Sequence, residues 1–399
     1  MNILFFVRGY PTNCDPIRGI FEFQQALALQ QAGHNVIFAC LILIPKGENG
    51  GKKIFSPVGI SKKQIQGLTV YEGYYLPAPL VLILKSKLYR KLIEFASRRL
   101  YRHIVKDVGK PDVIYSHYLW MNYFNACLGK KFHIPTVGVE HWSELNRPEM
   151  NPCVRAMGMD TYLKLTKLIC VSQALADRIN SVFGVEGRVV NNIIDIDYDL
   201  GGKKEKTDKK VKIVSVGRLT SQKKIDDMIK ALAKVDFDKD CWELTIVGSG
   251  PLEEELKNLT QQVGLDNNIH FAGLKSHEEV CQIYSKSDFF CLASDYETFG
   301  VVFVEAMSFG LPVIGTRCGG PEYIINKSNG LLVERGDIDG LTEAIKTMMN
   351  TYKHYSAESI RAEAKAKYSP EAIVPQITNV LADAISENDK YPLEELNIR

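Results

Sequence analysis

Two glutamates lie in the stretch from Ser294 to Pro312, where they flank a Phe-Gly pair. The stretch follows the apolar run Phe289–Leu292, which is typical of a buried strand. Gly300 then opens a predicted helix, whose first-turn amides and positive dipole end attract phosphate groups. Glu297 precedes this helix, and Glu305 lies about one and a half turns into it. The pattern predicts a phosphate site with two carboxylates that can reach different parts of one ligand.

Two cations form a second candidate cluster. Arg218 and Lys223 come directly after the predicted strand Val211–Val216, with Gly217 at the strand end. Arginine offers a fixed fork of donors and lysine a point charge, so together they can neutralise a diphosphate without a metal ion. The turn Val247–Pro251 also joins a strand to a helix through glycines, but alone it indicates little.

One acidic pair is spaced like a metal-binding motif. Asp195 and Asp197 form a D-x-D pattern, but they lie at a predicted domain boundary rather than in a ligand-binding turn. We interpret the pair as structural and expect neither a metal nor any other cofactor. The nine cysteines contain no C-x-x-C pair, so the sequence predicts neither a zinc site nor a disulfide framework.

The elements that position these clusters are short runs rich in Val and Ile, which alternate with helical patterns. Such unbroken apolar strands are typical of parallel sheets covered by helices. The polar segment Gly201–Lys210 predicts a linker between two such series. The predicted fold class is α/β, with doubly wound domains at residues 1–200 and 201–369, and a helix in residues 370–399 that crosses back to the first domain. The predicted strands are Ile3–Val7, Val36–Ile44, Val113–Ser116, Thr136–Val139 and Leu168–Val171, then Val211–Val216, Glu243–Val247, Ile269–Phe271, Phe289–Leu292, Pro312–Gly315 and Leu331–Val333.

Composition limits the function classes. The 399 residues include 45% hydrophobic and 24% charged residues, which is typical of a globular chain with more than one domain. A net charge of +2 argues against a nucleic-acid binder driven by overall charge. The first apolar run ends at Arg8, too early for a signal peptide, and no run approaches the ~20 residues of a membrane-spanning helix. We therefore expect a cytoplasmic protein.

Taken together, these residues resemble the family 4 retaining glycosyltransferases of the GT-B fold, in which two Rossmann-like domains face each other across a cleft. The resemblance runs over nearly the whole chain. It implies that Arg218 and Lys223 hold the diphosphate of a sugar donor, that Glu297 contacts the sugar, and that Glu305 contacts the nucleotide ribose. Backbone amides near Phe299, Gly300 and Val301 would complete the phosphate site.

The resemblance extends into the first domain. Gly19 matches the glycine loop after the first strand, and His141 matches a histidine near the sugar. The segment Val189–Asp195 resembles the end of the family's first domain. Lys224 stands where a glycine commonly follows the lysine, so Lys223 and Lys224 both remain candidates for the diphosphate contact.

The implied activity is metal-independent transfer of a hexose from a nucleotide-diphosphate sugar to a saccharide acceptor, with retention of configuration. A UDP-hexose is the favoured donor and GDP-mannose the second choice. We expect a lipid-linked acceptor, as in assembly of a surface polysaccharide. The alternatives are a nucleotide-sugar 2-epimerase, a transferase with a soluble small-molecule acceptor, and an inactive subunit that binds a partner enzyme.

One predicted helix, Lys85–Asp107, carries eight cations against two acids, a local net charge of +6. Each cation near an anionic leaflet contributes about 1 kcal/mol, so the helix predicts peripheral binding to the inner face of an anionic membrane. The stretch Tyr74–Leu84 is predicted to add shallow insertion. The alternative is a core-facing helix with a solvated basic face. Its apolar arc comprises Leu88, Leu92, Ile93, Ala96, Leu100 and Ile104.

Overall fold

A computed structural model describes residues 1–12, 18–42, 59–74, 87–147, 149–194 and 210–390. The chain divides into two compact units. Unit 1 comprises Met1–Val171, Ala176–Ile193 and Ile373–Arg399, and unit 2 comprises Ser172–Leu175 and Ile194–Ala372. Nearly all of the predicted linker, the stretch that follows Tyr74 and the pair Asp195 and Asp197 lie outside the described residues.

Unit 1 is built on an eight-stranded sheet with the order β3-β4-β2-β1-β5-β6-β7-β8. The strand β1 lies inside the sheet because its residues from Ile3 to Val7 are all apolar and fully buried. Its neighbours β2 and β5 are both parallel to it. The strands are β1 (Asn2–Val7), β2 (Asn35–Ile42), β3 (Gly59–Ile65), β4 (Leu68–Tyr74), β5 (Val113–His117), β6 (Thr136–Glu140), β7 (Lys167–Cys170) and β8 (Arg188–Val189).

The hairpin of β3 and β4 departs from the parallel sheet that the sequence predicts. These strands pair antiparallel, and they are joined by Gln66 and Gly67, both with positive φ. Two-residue turns of this kind match the twist of a hairpin. The strand β3 is polar and partly exposed at the sheet edge, so it lacks an apolar run that would predict it. The strands β4 and β8 were not predicted either, although β4 is mostly buried.

The helices of unit 1 bury their apolar faces against this sheet. In α2, Ile93, Ala96, Leu100 and Ile104 are buried in the core, as in the core-facing alternative. The last helix, α12, belongs to unit 1 from Ile373 onward. Its Thr378 and Asp383 contact His34 at 3.1 Å and Arg188 at 2.9 Å. The helices are α1 (Ile20–Gln31), α2 (Lys87–Val108), α3 (Leu119–Phe132), α4 (Pro152–Tyr162), α5 (Gln173–Phe183) and, further along the chain, α12 (Pro370–Lys390).

Unit 2 contains a six-stranded, fully parallel sheet with the order β11-β10-β9-β12-β13-β14. The strands are β9 (Val211–Val216), β10 (Trp242–Val247), β11 (Ile269–Gly273), β12 (Phe289–Leu292), β13 (Val313–Thr316) and β14 (Gly330–Val333). The helices are α6 (Ile225–Ala233), α7 (Glu253–Gln262), α8 (His277–Lys286), α9 (Val301–Ser308), α10 (Ile338–Thr351) and α11 (Ala357–Tyr368). The predicted α/β class is confirmed in both units.

Each sheet has a point at which the strand order reverses. In unit 1, β1 lies between β2 and β5 in the sheet. In unit 2, β9 lies between β10 and β12. The loops at the carboxyl ends of such strands diverge and leave a crevice, which is where ligands bind in open α/β sheets. Both crevices contain the candidate residues described next.

Candidate functional site

The two loops predicted to bind phosphate come together at the carboxyl edge of the unit 2 sheet. Because β9 and β12 are neighbours, the turn after β9 packs against the turn after β12. The Asp295 amide donates to the Gln222 carbonyl at 2.8 Å, and the Gln222 side-chain amide donates to the Tyr296 carbonyl at 2.8 Å. These bonds fix one loop relative to the other.

The structure pairs Lys223 with Glu297, although the two residues are far apart in sequence. The Lys223 ammonium forms an ion pair and a hydrogen bond with Glu297 Oε1. Ser294 Oγ donates to the same oxygen at 2.8 Å, and Glu297 is buried. A lysine held in this way has a fixed direction, which suits a charge that must meet one ligand group.

The neighbouring Lys224 occupies a different position. Its backbone has φ 49°, in the left-handed region that favours glycine, and it forms the N-cap of α6. Its ammonium lies 3.9 Å from Asp295 Oδ2, away from Glu297. The backbone conformation gives a physical reason for a glycine at this place in related chains, and the geometry favours Lys223 over Lys224 as the lysine of the site.

Arg218 and Gly217 lie at the end of β9, as predicted. The Arg218 side chain is exposed and forms no ion pair with any residue that the structure describes. The Gly217 amide donates to the Val247 carbonyl at 3.0 Å, which continues the pairing of β9 with β10 into the turn. An exposed guanidinium at a strand end is available for an anionic ligand.

The glycines of the β10–α7 turn have a structural role that the sequence alone did not show. A Cβ on Gly250 would lie 2.2 Å from the Leu219 carbonyl oxygen, and one on Gly248 would lie 2.0 Å from the Gly217 carbonyl oxygen. Only residues without a side chain permit this approach of two backbones. The turn therefore buttresses the loop that carries Arg218 and Lys223.

The helix α9 begins at Val301, with Gly300 as its N-cap in the left-handed conformation. The first-turn amides and the positive end of the helix dipole lie at the carboxyl edge of the sheet, next to the pair of Lys223 and Glu297. Phe299 is buried. The predicted turn from β12 into a helix at Gly300 is therefore present, and its role in binding phosphate stays a prediction.

Glu305 is the fifth residue of α9. Burial raises its pKa to about 7, and a hydrogen bond from Tyr284 at 3.5 Å opposes this shift. Its carboxylate therefore changes charge near neutral pH, whereas a solvated glutamate would be ionised. The role of Glu305 toward a ribose stays a prediction.

One connection beside the site was missed by sequence reasoning. The Glu297 amide donates to the Cys318 carbonyl at 3.0 Å, and the Gly320 amide donates to the Glu297 carbonyl at 3.0 Å. The segment after β13 thus fixes the backbone of Glu297 from the opposite side. The dipeptide Gly319–Gly320, four residues after the predicted strand Pro312–Gly315, was the available signal.

Unit 1 brings a second set of residues to its own sheet edge. Gly19 is the N-cap of α1, and a Cβ there would lie 2.1 Å from the Gly9 carbonyl oxygen. His141 follows β6, is buried, and stacks on Tyr118 with ring centroids 3.9 Å apart. Burial and Arg8 lower the pKa of His141 to about 3. A neutral imidazole can form hydrogen bonds with a sugar hydroxyl but carries no charge.

Sequence reasoning missed Arg8, Glu22 and Tyr118, which surround His141. Their signal was the position of Arg8 and Tyr118 at the ends of β1 and β5, on both sides of the point where the strand order reverses. Among the residues that the structure describes, no group of three or more His, Cys, Asp or Glu could hold a metal ion. The absence of a metal from the reaction stays a prediction.

Two Rossmann-like units form the architecture of the GT-B class of glycosyltransferases. This chain has two such units, and the second carries two cations beside a helix N-terminus. The sequence profile described as "Glycosyltransferase Family 4" matches residues 23–198, and the profile described as "Glycosyl transferases group 1" matches residues 200–367. The chain belongs to the group 1 glycosyltransferases of family 4. The predicted resemblance and the predicted GT-B fold are confirmed.

Solved structures with the same fold extend over nearly the whole chain. The apo lipopolysaccharide outer core galactosyltransferase WaaB superposes with a TM-score of 0.72 at 17% identity, covering 96% of this chain and 99% of that one. The Anabaena protein HepE in complex with UDP and glucose superposes with a TM-score of 0.70 at 18% identity, covering 96% and 99%. At these identities the superpositions show the fold alone.

Sequence relatives include proteins of several named activities. An uncharacterized glycosyltransferase of Methanocaldococcus jannaschii is 28% identical over 69% of this chain and 76% of its own length. The GDP-mannose-dependent monoacylated alpha-(1-6)-phosphatidylinositol monomannoside mannosyltransferase of Corynebacterium glutamicum is 30% identical over 44% of this chain and 48% of its own length. The alignment with the latter thus spans about half of each protein.

Proposed function

We propose that the protein transfers a hexose from a nucleotide-diphosphate sugar, with UDP-hexose favoured, to a saccharide acceptor with retention of configuration. The single observation that carries this proposal is the arrangement of Arg218, Lys223 and the N-terminus of α9 at one edge of the unit 2 sheet. Two cations and a helix dipole together offer a site for a diphosphate. The solved HepE complexes with UDP-glucose and with UDP and glucose support the donor class.

The proposed chemistry uses charge and position rather than a metal. As the bond to the sugar breaks, negative charge develops on the diphosphate, and Arg218 and Lys223 are placed to stabilise it. Glu297 is paired with Lys223, so we assign it to orienting the lysine and the sugar rather than to nucleophilic attack. A hydroxyl of the acceptor would then attack the sugar on the face from which the diphosphate departs and give its proton to the departing phosphate oxygen. The new glycosidic bond replaces the broken bond to the diphosphate on the same face, so the configuration is retained.

The acceptor that we propose is a lipid-linked saccharide, reached at the inner face of an anionic membrane. The outer side of α2 supports this proposal, because Phe95 is 61% exposed beside three arginines. These residues and Lys131 of α3 line a surface cavity of about 350 Å3. Arginines and lysines attract anionic headgroups, and an exposed aromatic ring favours the interfacial layer. The cavity is lined by Phe95, Arg98, Arg99, Arg102 and Lys131.

None of the described helices is both long and apolar enough to cross a bilayer. Four residues of the predicted apolar arc, Ile93, Ala96, Leu100 and Ile104, pack into the unit 1 core, so they cannot also enter a membrane. Membrane attachment would therefore depend on the charged outer side and on Phe95. This surface keeps the electrostatic attachment that the sequence predicts, whereas the shallow insertion predicted for Tyr74–Leu84 lies almost entirely outside the described residues and stays a prediction.

A donor screen tests the proposed reaction. We would measure the melting temperature with a panel of nucleotide sugars, where a ligand at 100 times its Kd adds about 2.7 kcal/mol of stability. Release of the nucleotide would then be followed with and without saccharide acceptors. Turnover that needs an acceptor supports the proposal, and isomerisation of the donor without an acceptor would instead indicate a 2-epimerase.

Flotation with liposomes tests the membrane part. The full chain would be mixed with phosphatidylglycerol-rich and with neutral vesicles at low and high salt. We expect binding only to the anionic vesicles, and its loss when Arg99, Arg102 and Lys131 are replaced by glutamine. The matched control replaces three exposed lysines of unit 2 by glutamine and should bind as the wild type does. Equal loss in both variants, or no binding at low salt, would leave a soluble acceptor as the better proposal. The control lysines are Lys286, Lys327 and Lys353.

A further inference from the structure

Three side chains of unit 1 form a continuous stack that the proposed reaction does not yet explain. The Arg8 guanidinium lies over the Tyr118 ring, 3.7 Å from its centroid. The Tyr118 ring also stacks on the His141 imidazole, with ring centroids 3.9 Å apart and an angle of 28° between the ring planes. A guanidinium and an imidazole are thus joined through one tyrosine.

The three residues come from three neighbouring strands. Arg8 follows β1, Tyr118 follows β5 and His141 follows β6, so all three lie at the carboxyl edge of the unit 1 sheet. The place between β1 and β5 is the point where the strand order reverses. A ligand crevice is expected at this place in an open α/β sheet.

The backbone of Tyr118 is held in an unusual conformation. Its φ is 67° and its ψ is 139°, a combination that residues with a side chain rarely adopt. The Tyr118 amide donates to the Val139 carbonyl at 2.9 Å, and the Tyr118 carbonyl accepts from the Asn122 amide at 2.9 Å. The surrounding fold therefore stabilises a strained residue. Strain of this kind is concentrated at functional sites, where it directs a side chain.

Arg8 lies beside an acidic side chain of α1, Glu22. Glu22 is fully buried, and its Oε1 lies 3.7 Å from an Arg8 terminal nitrogen. Neither Glu22 oxygen has a hydrogen-bond partner among the residues that the structure describes. Burial raises the pKa of Glu22, and the positive charge of Arg8 opposes this shift. Glu22 thus places a buried carboxyl group beside the guanidinium of Arg8, whose side chain is 42% exposed.

We propose that Arg8 and Tyr118 are positioning residues that fix the plane and direction of the His141 imidazole. The proposal rests on the proposed function and on the family resemblance, which implies that His141 lies near a sugar. The Tyr118 ring stacks on the imidazole, and the Phe21 and His117 rings lie beside it, with centroids 5.8 and 5.3 Å away. Since Arg8 covers the far side of the same ring, it prevents Tyr118 from turning away.

The charges around His141 agree with a role for the neutral ring. Arg8 and Glu22 approach from β1 and α1, His117 from β5, and Glu140 from β6. Glu140 Oε1 accepts from the backbone amide of His141 at 3.1 Å and leaves the imidazole to other partners. Burial and the charge of Arg8 lower the pKa of His141. The ring therefore stays neutral, and its direction decides which nitrogen can meet a hydroxyl.

A double-mutant cycle in the full chain tests the proposal. Tyr118→Leu and His141→Ala should each lower kcat on the order of 10- to 100-fold, as expected for a misplaced group, with little change in the donor KM. The double variant should be no slower than His141→Ala alone, because the tyrosine would act only through the histidine. Tyr118→Phe keeps the ring and should recover most of the lost turnover. Additive losses in the cycle would overturn the proposal.

A second measurement does not depend on turnover. In the wild type, the ring current of Tyr118 should shift the His141 imidazole resonance upfield, with the resonance assigned through His141→Ala. We expect Tyr118→Leu to remove the largest part of this shift and leave the smaller effect of the Phe21 and His117 rings. Arg8→Gln should reduce the shift, and the control Tyr123→Leu, in the helix that Tyr118 caps, should leave it unchanged. An unshifted resonance in the wild type would overturn the stack itself. A shifted resonance in a protein without any transferase activity would instead remove the proposed function.

Discussion

The substitution Gly250→Ala separates the structure of the donor site from its chemistry, because Gly250 does not carry a functional group. The new Cβ would lie 2.2 Å from the Leu219 carbonyl oxygen, more than an ångström inside ordinary contact, and 2.7 Å from its carbonyl carbon. The two turns must therefore move apart. Overpacking of this kind typically costs about 1–3 kcal/mol of unfolding free energy. For a unit of this size, each kcal/mol lowers Tm by roughly 2–4 °C.

The same movement should affect catalysis, because Leu219 lies between Arg218 and Lys223 in the chain. A displacement of about 1 Å can lower kcat/KM on the order of 100-fold, and we expect a loss of 10- to 100-fold. The assay combines differential scanning calorimetry with donor turnover. Gly217→Ala is the control for stability, since its Cβ would meet only the Lys223 side chain, at 3.6 Å. A Gly250→Ala variant with the Tm and kcat/KM of the wild type would refute the buttressing role of this turn.

Three further predictions concern the same unit. Arg218→Ala and Lys223→Ala should each lower turnover by about 10²- to 10³-fold, the usual effect of removing one donor to a developing anion, and near-normal rates in a folded variant would remove its assigned role. Turnover should survive EDTA, because two cations and a helix N-terminus replace the metal, and a loss that Mg²⁺ or Mn²⁺ restores would contradict this. Glu305→Gln should become more stable relative to the wild type as the pH rises from 5 to 8. Since the folded pKa of about 7 lies above the unfolded value, the protonated form favours folding and this contribution is lost through pH 7. Between pH 5 and 8, the unfolding free energy of Glu305→Gln relative to the wild type should rise by roughly 1–3 kcal/mol, measured by urea titration of both proteins. A difference in unfolding free energy that does not change with pH would disprove the raised pKa of Glu305.

Local pattern determined much of the fold from the sequence. The buried strands β1 and β9 are unbroken apolar runs, and Gly300 opens α9 where the sequence predicts a helix. These features depend on residues within a few positions of one another, so periodicity and backbone preference are sufficient to find them. The polar hairpin strand β3 lacked such a pattern and was missed.

Only the tertiary structure decided which residues meet. Sheet order places the ends of β9 and β12 side by side. As a result Glu297 forms an ion pair with Lys223, whereas Lys224 lies near Asp295. The same holds for α2, whose apolar arc fits either a core or a membrane until its packing against the sheet is known.

The stack around His141 shows most clearly that the sequence does not reveal which residues meet in the folded chain. The family resemblance singles out His141, but nothing in the sequence connects it with Arg8 and Tyr118, and more than a hundred positions separate Arg8 from the other two. They meet because β1, β5 and β6 are consecutive in the sheet, and because hydrogen bonds hold Tyr118 in a conformation that its own backbone preference opposes. The sequence determined which local elements form, whereas the order of the strands, set by packing across the whole unit, determined which strand ends became one site.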